Sequence, residues 1–230
     1  MSWNAVLGIA CILCFFLPVA VILYNRFYTH RSLVALLLYF FVAGSYNLLS
    51  EKLIPIRGSL LDGYGLLSNY LDVPLMLTGL LFFCPNRQKQ KIVHVLIAAF
   101  IGYELTVTCF HGFNQDSVMY IMGPGFAIIL CYSTYLFSRQ VKFSIMHRKN
   151  QGRMLMLASI LFAYSCYTLI YYFYFIQKTP YTSDVLLLYY ISSSLASTLM
   201  AIGLHLMRKR MKELRSLKTT RKELALFFSH

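Results

Sequence analysis

Charge is scarce in this chain: 13% of its 230 residues are Asp, Glu, Lys or Arg, and only eight are acidic, against 21 basic. A soluble domain carries about 25% charged and 45–50% apolar residues, whereas 58% are hydrophobic here, too many for the remaining polar groups to cover a water-facing globule. A hidden soluble catalytic domain is excluded by length. Seven apolar stretches of about 20 residues, each long enough to cross a ~30 Å hydrocarbon layer, use up most of the chain. Gly/Ser linkers, low-complexity tracts and internal repeats are missing. No cleavable leader is expected either, since no Lys or Arg precedes Arg26 and no small-residue site closes a short apolar run. The first stretch is therefore expected to stay as a helix. The six cysteines, Cys11, Cys14, Cys84, Cys109, Cys131 and Cys166, all fall in apolar stretches. Cys11 and Cys14 form a C-x-x-C without the second Cys/His pair of a zinc site, so packing is expected of them rather than metal, disulfide or redox chemistry.

What is present reads as an all-α membrane protein, a seven-transmembrane-helix bundle over residues 1–207 followed by a basic amphipathic tail, 208–230. The expected spans are 4–24, 32–50, 60–84, 92–111, 118–138, 154–175 and 185–207. Alternate connections sort the basic residues sharply, with only Lys52, Arg57 and Lys178 on one side and all the others opposite. By the positive-inside rule the richer side is cytoplasmic, which places the N-terminus outside, the C-terminus inside and the protein in the cell (inner or plasma) membrane. The net charge of +13 is thus a topology signal and does not imply nucleic acid as a partner. Membrane lipids are the expected surroundings. The tail sets Leu214, Leu217, Leu224 and Phe228 along one helical side among Lys and Arg, a pattern that fits an anionic leaflet, a partner helix or a solvated helix.

Ionisable groups within spans carry more information, because a carboxylate near the bilayer centre costs about 2.5–3.5 kcal/mol even on the lenient insertion scale. Asp72 falls in mid-span of the third helix and Glu104 in the outer half of the fourth, and both are expected to face the bundle interior. Ser68 and Asn69 precede Asp72 by four and three residues and share its face. His94, Ile97, Ile101, Glu104, Thr108 and His111 form one stripe on the fourth helix, while Asn47 and Glu51 are an i, i+4 pair on the second. Tyr164, Tyr167, Tyr171 and Tyr174 recur at helical spacing on the sixth, and Tyr190, Ser194, Ser197, Ala201 and His205 on the seventh. These stripes suggest a polar and aromatic interior weighted toward the outer half. Close packing and interhelical hydrogen bonds are the alternative use for the same residues.

Local segments add a resemblance. Tyr70-Leu71-Asp72-Val73-Pro74-Leu75-Met76-Leu77 in the third span, Ser45-Tyr46 in the second, Ile191-Ser192-Ser193-Ser194-Leu195 in the seventh and the spacing of Tyr164, Tyr167 and Tyr171 in the sixth resemble elements of the microbial (type I) rhodopsins. The third-span run is most similar to the sodium-pumping branch. The resemblance implies a seven-helix bundle whose retinal is held by a Schiff base to a lysine of the seventh helix. At that position this chain has Ser194, and no span contains a lysine. A hydroxyl cannot form an imine, so covalent retinal is excluded on this alignment. Gly65, Ser68, Asn69 and Tyr190 stand where the family has its third-helix arginine, counterion carboxylate and tryptophan and its seventh-helix aspartate, and only Asp72 falls on a position that is acidic in a branch of the family. Light-driven pumping is not inherited.

The expected function is therefore that of a rhodopsin-like protein without covalent retinal: a sensor, scaffold or ligand-binding module that signals through a separate cytoplasmic or membrane partner. Its candidate ligand-binding residues are Ser68, Asn69, Asp72, Glu104, Tyr164, Tyr167, Tyr171, Tyr190 and Ser194. A non-covalent apolar chromophore or lipid could occupy the interior, and homo-oligomerisation is left open. The alternative is a proton or small-solute pathway past Asp72 and Glu104. Enzymatic chemistry is not expected, because hydrolysis within a membrane needs a metal cluster or an activated nucleophile with a base in reach, and the histidines are scattered at opposite ends of the spans. No catalytic or metal-binding residue is assigned.

Overall fold

The computed structural model of the chain describes residues 3–84, 86–147, 151–177 and 182–227; the side chains from 209 onward, and of a few residues at other helix ends, lie outside that description. Its regular structure is helical throughout, as apolar segments in lipid require, since a helix satisfies its own backbone hydrogen bonds. The helices are α1 (Trp3–Tyr24), α2 (Arg31–Ser50), α3 (Gly58–Leu80), α4 (Arg87–His111), α5 (Gln115–His147), α6 (Gln151–Tyr171) and α7 (Thr182–Phe227). All seven are long and apolar enough to cross a membrane, and they follow the expected spans to within a few residues at most ends. The connection expected over 139–153 is shorter than that, because α5 continues to His147 and α6 begins at Gln151. α7 runs without a break from its apolar part into the tail as far as Phe227. The tail's proposed apolar side, Leu214, Leu217, Leu224 and Phe228, lies outside the described side chains.

The helices are arranged as a ring. Each packs on its neighbours in sequence, α7 returns against α1, and α3 reaches inward to touch α5, which leaves α4 outermost against α3 and α5. Ile92, Val95, Leu105 and Phe110 of α4 accordingly point outward. Asn86 caps α4 by accepting from the backbone N–H of Gln88 at 3.1 Å, satisfying one of the donors that a helix start leaves free. Three helices carry a proline within them, Pro18, Pro74 and Pro124. A proline in a helix removes one backbone donor; the Tyr120 carbonyl that Pro124 leaves without its helical partner accepts from the Tyr103 hydroxyl at 2.9 Å.

The two ends of the ring are packed differently. Toward the basic end Ile22, Leu33, Leu36, Leu77, Leu80, Ile129, Met156, Leu157 and Leu204 are almost completely buried. α6 and α7 approach there until a Cβ added at Gly152 would stand 2.6 Å from the Gly203 carbonyl oxygen, and one at Gly203 2.9 Å from that of Gly152. Glycine at both positions is what permits backbone contact between membrane helices. Ser159 adds a hydrogen bond across the same seam, donating to the Ala196 carbonyl at 2.7 Å. Toward the end that holds the N-terminus the helices separate around a cavity.

Candidate functional site: an aromatic cavity over Asp72

A cavity of about 230 Å³ lies between α1, α2, α3, α5, α6 and α7. Its polar base comes from α3, where Ser68, Asn69 and Asp72 share a face at i, i+1 and i+4, with Leu75 one turn on. α6 contributes Tyr167, Ile170 and Tyr171, and the turn that follows it Phe175; α2 contributes Tyr39, Val42, Ala43 and Tyr46; Phe15, Met122, Phe126 and Tyr189 complete the wall. Ring centroids of Phe126 lie 6.1 Å from Tyr171 and 6.5 Å from Tyr167, and Tyr167 lies 6.0 Å from Tyr189. These separations fall within the range of favourable aromatic pairs. The aromatic rings form a continuous lining, not a set of isolated contacts.

Asp72 is held from behind. Tyr164, completely buried beneath the cavity, donates its hydroxyl hydrogen to Asp72 Oδ1 at 2.6 Å, and Tyr39 packs against both Tyr164 and Tyr167. Tyr167 pairs with Ser193 Oγ at 2.9 Å, Tyr171 donates to the Met119 carbonyl at 2.8 Å, and Asn47 Nδ2 donates to the Tyr189 hydroxyl at 2.9 Å. Hydroxyls that tether neighbouring helices also fix the ring faces that line the space between them. No Lys, Arg or His is among the lining residues, so the carboxyl meets the cavity without a cation of the protein beside it.

The candidate residues read from the sequence separate into two groups. Ser68, Asn69, Asp72, Tyr167 and Tyr171 line the cavity, and Tyr164 supports it from beneath. Glu104, Tyr190 and Ser194 do not line it. Glu104 is buried between α4 and its neighbours with Oε1 lacking a hydrogen-bond partner, near enough to Asp72 to feel its charge. Tyr190 instead donates to Glu51, tying α7 to the end of α2. Ser194 reaches Cys11 of α1; from α7 it is Tyr189 that lines the cavity, while Ser193 touches the wall through Tyr167. The buried face of α7 is Ser192, Ser193, Ala196, Ser197, Met200, Ala201 and Leu204; of the expected stripe Ser197 and Ala201 lie on it, Tyr190 and Ser194 are half-buried at its edge, and His205 is exposed.

Two other stripes are corrected in the same way. On α4 the inward face is Val93, Phe100, Glu104 and Val107, while His94, Ile101 and His111 are exposed. On α6 Tyr164, Tyr167 and Tyr171 point inward as expected, but Tyr174 is exposed. A π-helical segment, Tyr172–Ile176, closed by the Gln177 N–H to the Tyr172 carbonyl at 2.9 Å, widens the last turn of α6. Phe175, four residues after Tyr171, lies on the cavity face, and Tyr174 does not. Such segments recur at functional sites. Reading the sequence also passed over Phe15, Tyr39, Met122, Phe126 and Tyr189. Tyr39 stands one helical face from Val42, Ala43 and Tyr46, a spacing that could have flagged it; Tyr189 could not be told from Tyr190 without the rotation of α7.

Among the described residues no three His, Cys, Asp or Glu side chains gather as a metal site would require. Comparison of the chain with protein-family models, with curated proteins and with solved structures finds no match.

Proposed function

We propose that this chain is a seven-helix membrane receptor-like module whose aromatic cavity holds a small ligand and whose occupancy is read by a separate protein. The observation that supports it is the cavity itself: predominantly aromatic walls with a few convergent polar groups are what ligand sites present. Its volume of about 230 Å³ exceeds the roughly 150 Å³ that accepts a benzene ring and falls below the about 300 Å³ at which drug-sized sites begin. The ligand is therefore a compact molecule of one ring and a short chain. The basic end of the bundle, where Arg208 stacks over Tyr24, Arg153 over Phe82 and Lys89 over Tyr135, is taken as cytoplasmic, and the cavity then lies in the outer half of the cell membrane.

Native mass spectrometry of the protein extracted from its own membranes tests this reading. The wild type is expected to carry a bound small molecule that Ala43→Phe, which fills the cavity, loses. A wild type that carries none, and that gains no thermal stability from a library of single-ring amphiphiles, overturns it. Binding is favoured over the transport alternative by the layer next to the cavity: Val73, Met76, Leu77 and Leu80 are buried and apolar. Proton or solute flux in proteoliposomes that Asp72→Asn abolishes would restore transport.

The likeness to microbial rhodopsins is part of this proposal, as ancestry without a covalent chromophore. With retinal added, Ser194→Lys is expected to give a near-ultraviolet or visible pigment if the alignment holds. Ser193→Lys is the control for the rotation of α7, and a pigment in neither folded variant removes the likeness.

A further inference from the structure

Asp72 is set into an aromatic wall within the membrane and has a neutral hydroxyl, from Tyr164, as its side-chain hydrogen-bond partner. A charge at this depth is normally paired. The lining supplies no cation; outside it a second carboxyl, Glu104, feels the charge of Asp72 and has its Oε1 buried without a hydrogen-bond partner. A carboxyl that faces the cavity without a base beside it disfavours anions there and leaves a vacancy for positive charge. The walls answer the same requirement: Tyr167, Tyr171 and Phe126 line the cavity as one aromatic cluster, and an aromatic ring attracts a cation held over its face within about 6 Å of its centroid. Asn69 beside Asp72 offers an amide oxygen as a further acceptor.

From this juxtaposition of one carboxyl, an aromatic lining and no protein cation, we propose that the cavity binds an organic ammonium: a protonated amine on a compact aromatic or aliphatic body. The ammonium donates to Asp72 and Asn69, and the body lies between Tyr167, Tyr171 and Phe126. The inference rests on the ligand-binding reading above and narrows it to one ligand class.

The test compares three probes of one shape, 2-phenylethylammonium, neutral 2-phenylethanol and anionic 3-phenylpropanoate, by calorimetry on the full chain in lipid nanodiscs at neutral pH. The ammonium is expected to bind the wild type at least tenfold more tightly than the alcohol, with the anion weakest. In Asp72→Asn the ammonium should lose that advantage while the alcohol binds as before; Asp72→Glu should keep part of it. Equal affinities for ammonium and alcohol in the wild type overturn the proposal, whether or not the variants fold, and so does an advantage that survives Asp72→Asn. Alcohol binding that Ala43→Phe removes, without any preference for the ammonium, leaves the cavity reading standing and this inference refuted. Probe uptake that Ala43→Phe leaves unchanged is partition into lipid and refutes both.

Discussion

The half of the bundle around the cavity and the half toward the basic end are built from the same seven helices but solve opposite problems. In the basic half, backbones meet at Gly152 and Gly203 and the interior is filled by Leu, Ile and Met. In the cavity half, tyrosine hydroxyls span the gaps between helices, holding them at a distance that packing alone would close. Lipid is as apolar as leucine, so no hydrophobic force separates these solutions; close van der Waals contact and interhelical hydrogen bonds do. The contrast explains how a small chain can keep an open space inside a membrane bundle. One half supplies the rigidity and the other is free to be hollow.

Five substitutions test that contrast. The largest effect is expected at Gly203→Val, where the added side chain meets the carbonyl of Gly152, backbone that cannot swing aside. Overpacking of this kind costs about 3 kcal/mol, and a large loss of thermal stability in detergent should follow; a variant that melts like wild type would show that the seam is loose. Next comes Leu77→Ala, completely buried in the filled half, expected to cost about 2 kcal/mol, at the low end for Leu→Ala because lipid removes most of the transfer contribution. Leu75→Ala, on the cavity wall, should cost less than half as much, since it enlarges a space that already exists. Equal losses for the two leucines, read as melting temperatures, would contradict the division into filled and hollow halves.

Tyr164→Phe removes the hydrogen bond to Asp72 while keeping the ring, with an expected cost of about 1.5 kcal/mol, near the top of the range for intramembrane hydrogen bonds. Because Tyr164 positions the carboxyl, ligand affinity should fall together with stability, a coupling that titration of the purified variant checks. The smallest effect is expected at Tyr190→Phe, which breaks the contact with Glu51 outside the cavity for about 0.6 kcal/mol, the average for such bonds. Ligand affinity should not change, and a loss there would extend the site to the α2–α7 contact.

Periodicity made some inward faces legible and misplaced others. Asp72 with Ser68 and Asn69, and Tyr164 with Tyr167 and Tyr171, were readable because a polar or tyrosine stripe stands out against an otherwise apolar helix. On α7 the expected stripe met the buried face at Ser197 and Ala201 but not at Tyr190 and Ser194, because Tyr189 and Tyr190 and the run Ser192, Ser193, Ser194 offer two nearly equivalent faces, and only contact with α6 chooses between them. Phe175 was hidden for another reason. Tyr174 and Phe175 follow Tyr171 by three and four residues, so a helical period allows either on its face, and only the packed structure selects Phe175.

Scarcity of charge, with which the sequence is first recognised, determined that helices rather than sheets or loops would form and how many there would be, because each apolar stretch must satisfy its own backbone in lipid. The amino acids also determined that a carboxyl would sit at mid-helix in α3. Tertiary structure decided what that carboxyl meets. Whether the space above Asp72 is filled or open depends on the rotation of each helix about its axis and on a few cross-helix hydroxyl contacts, each worth of order 1 kcal/mol. No single helix encodes its rotation; it is set only when all seven are packed together.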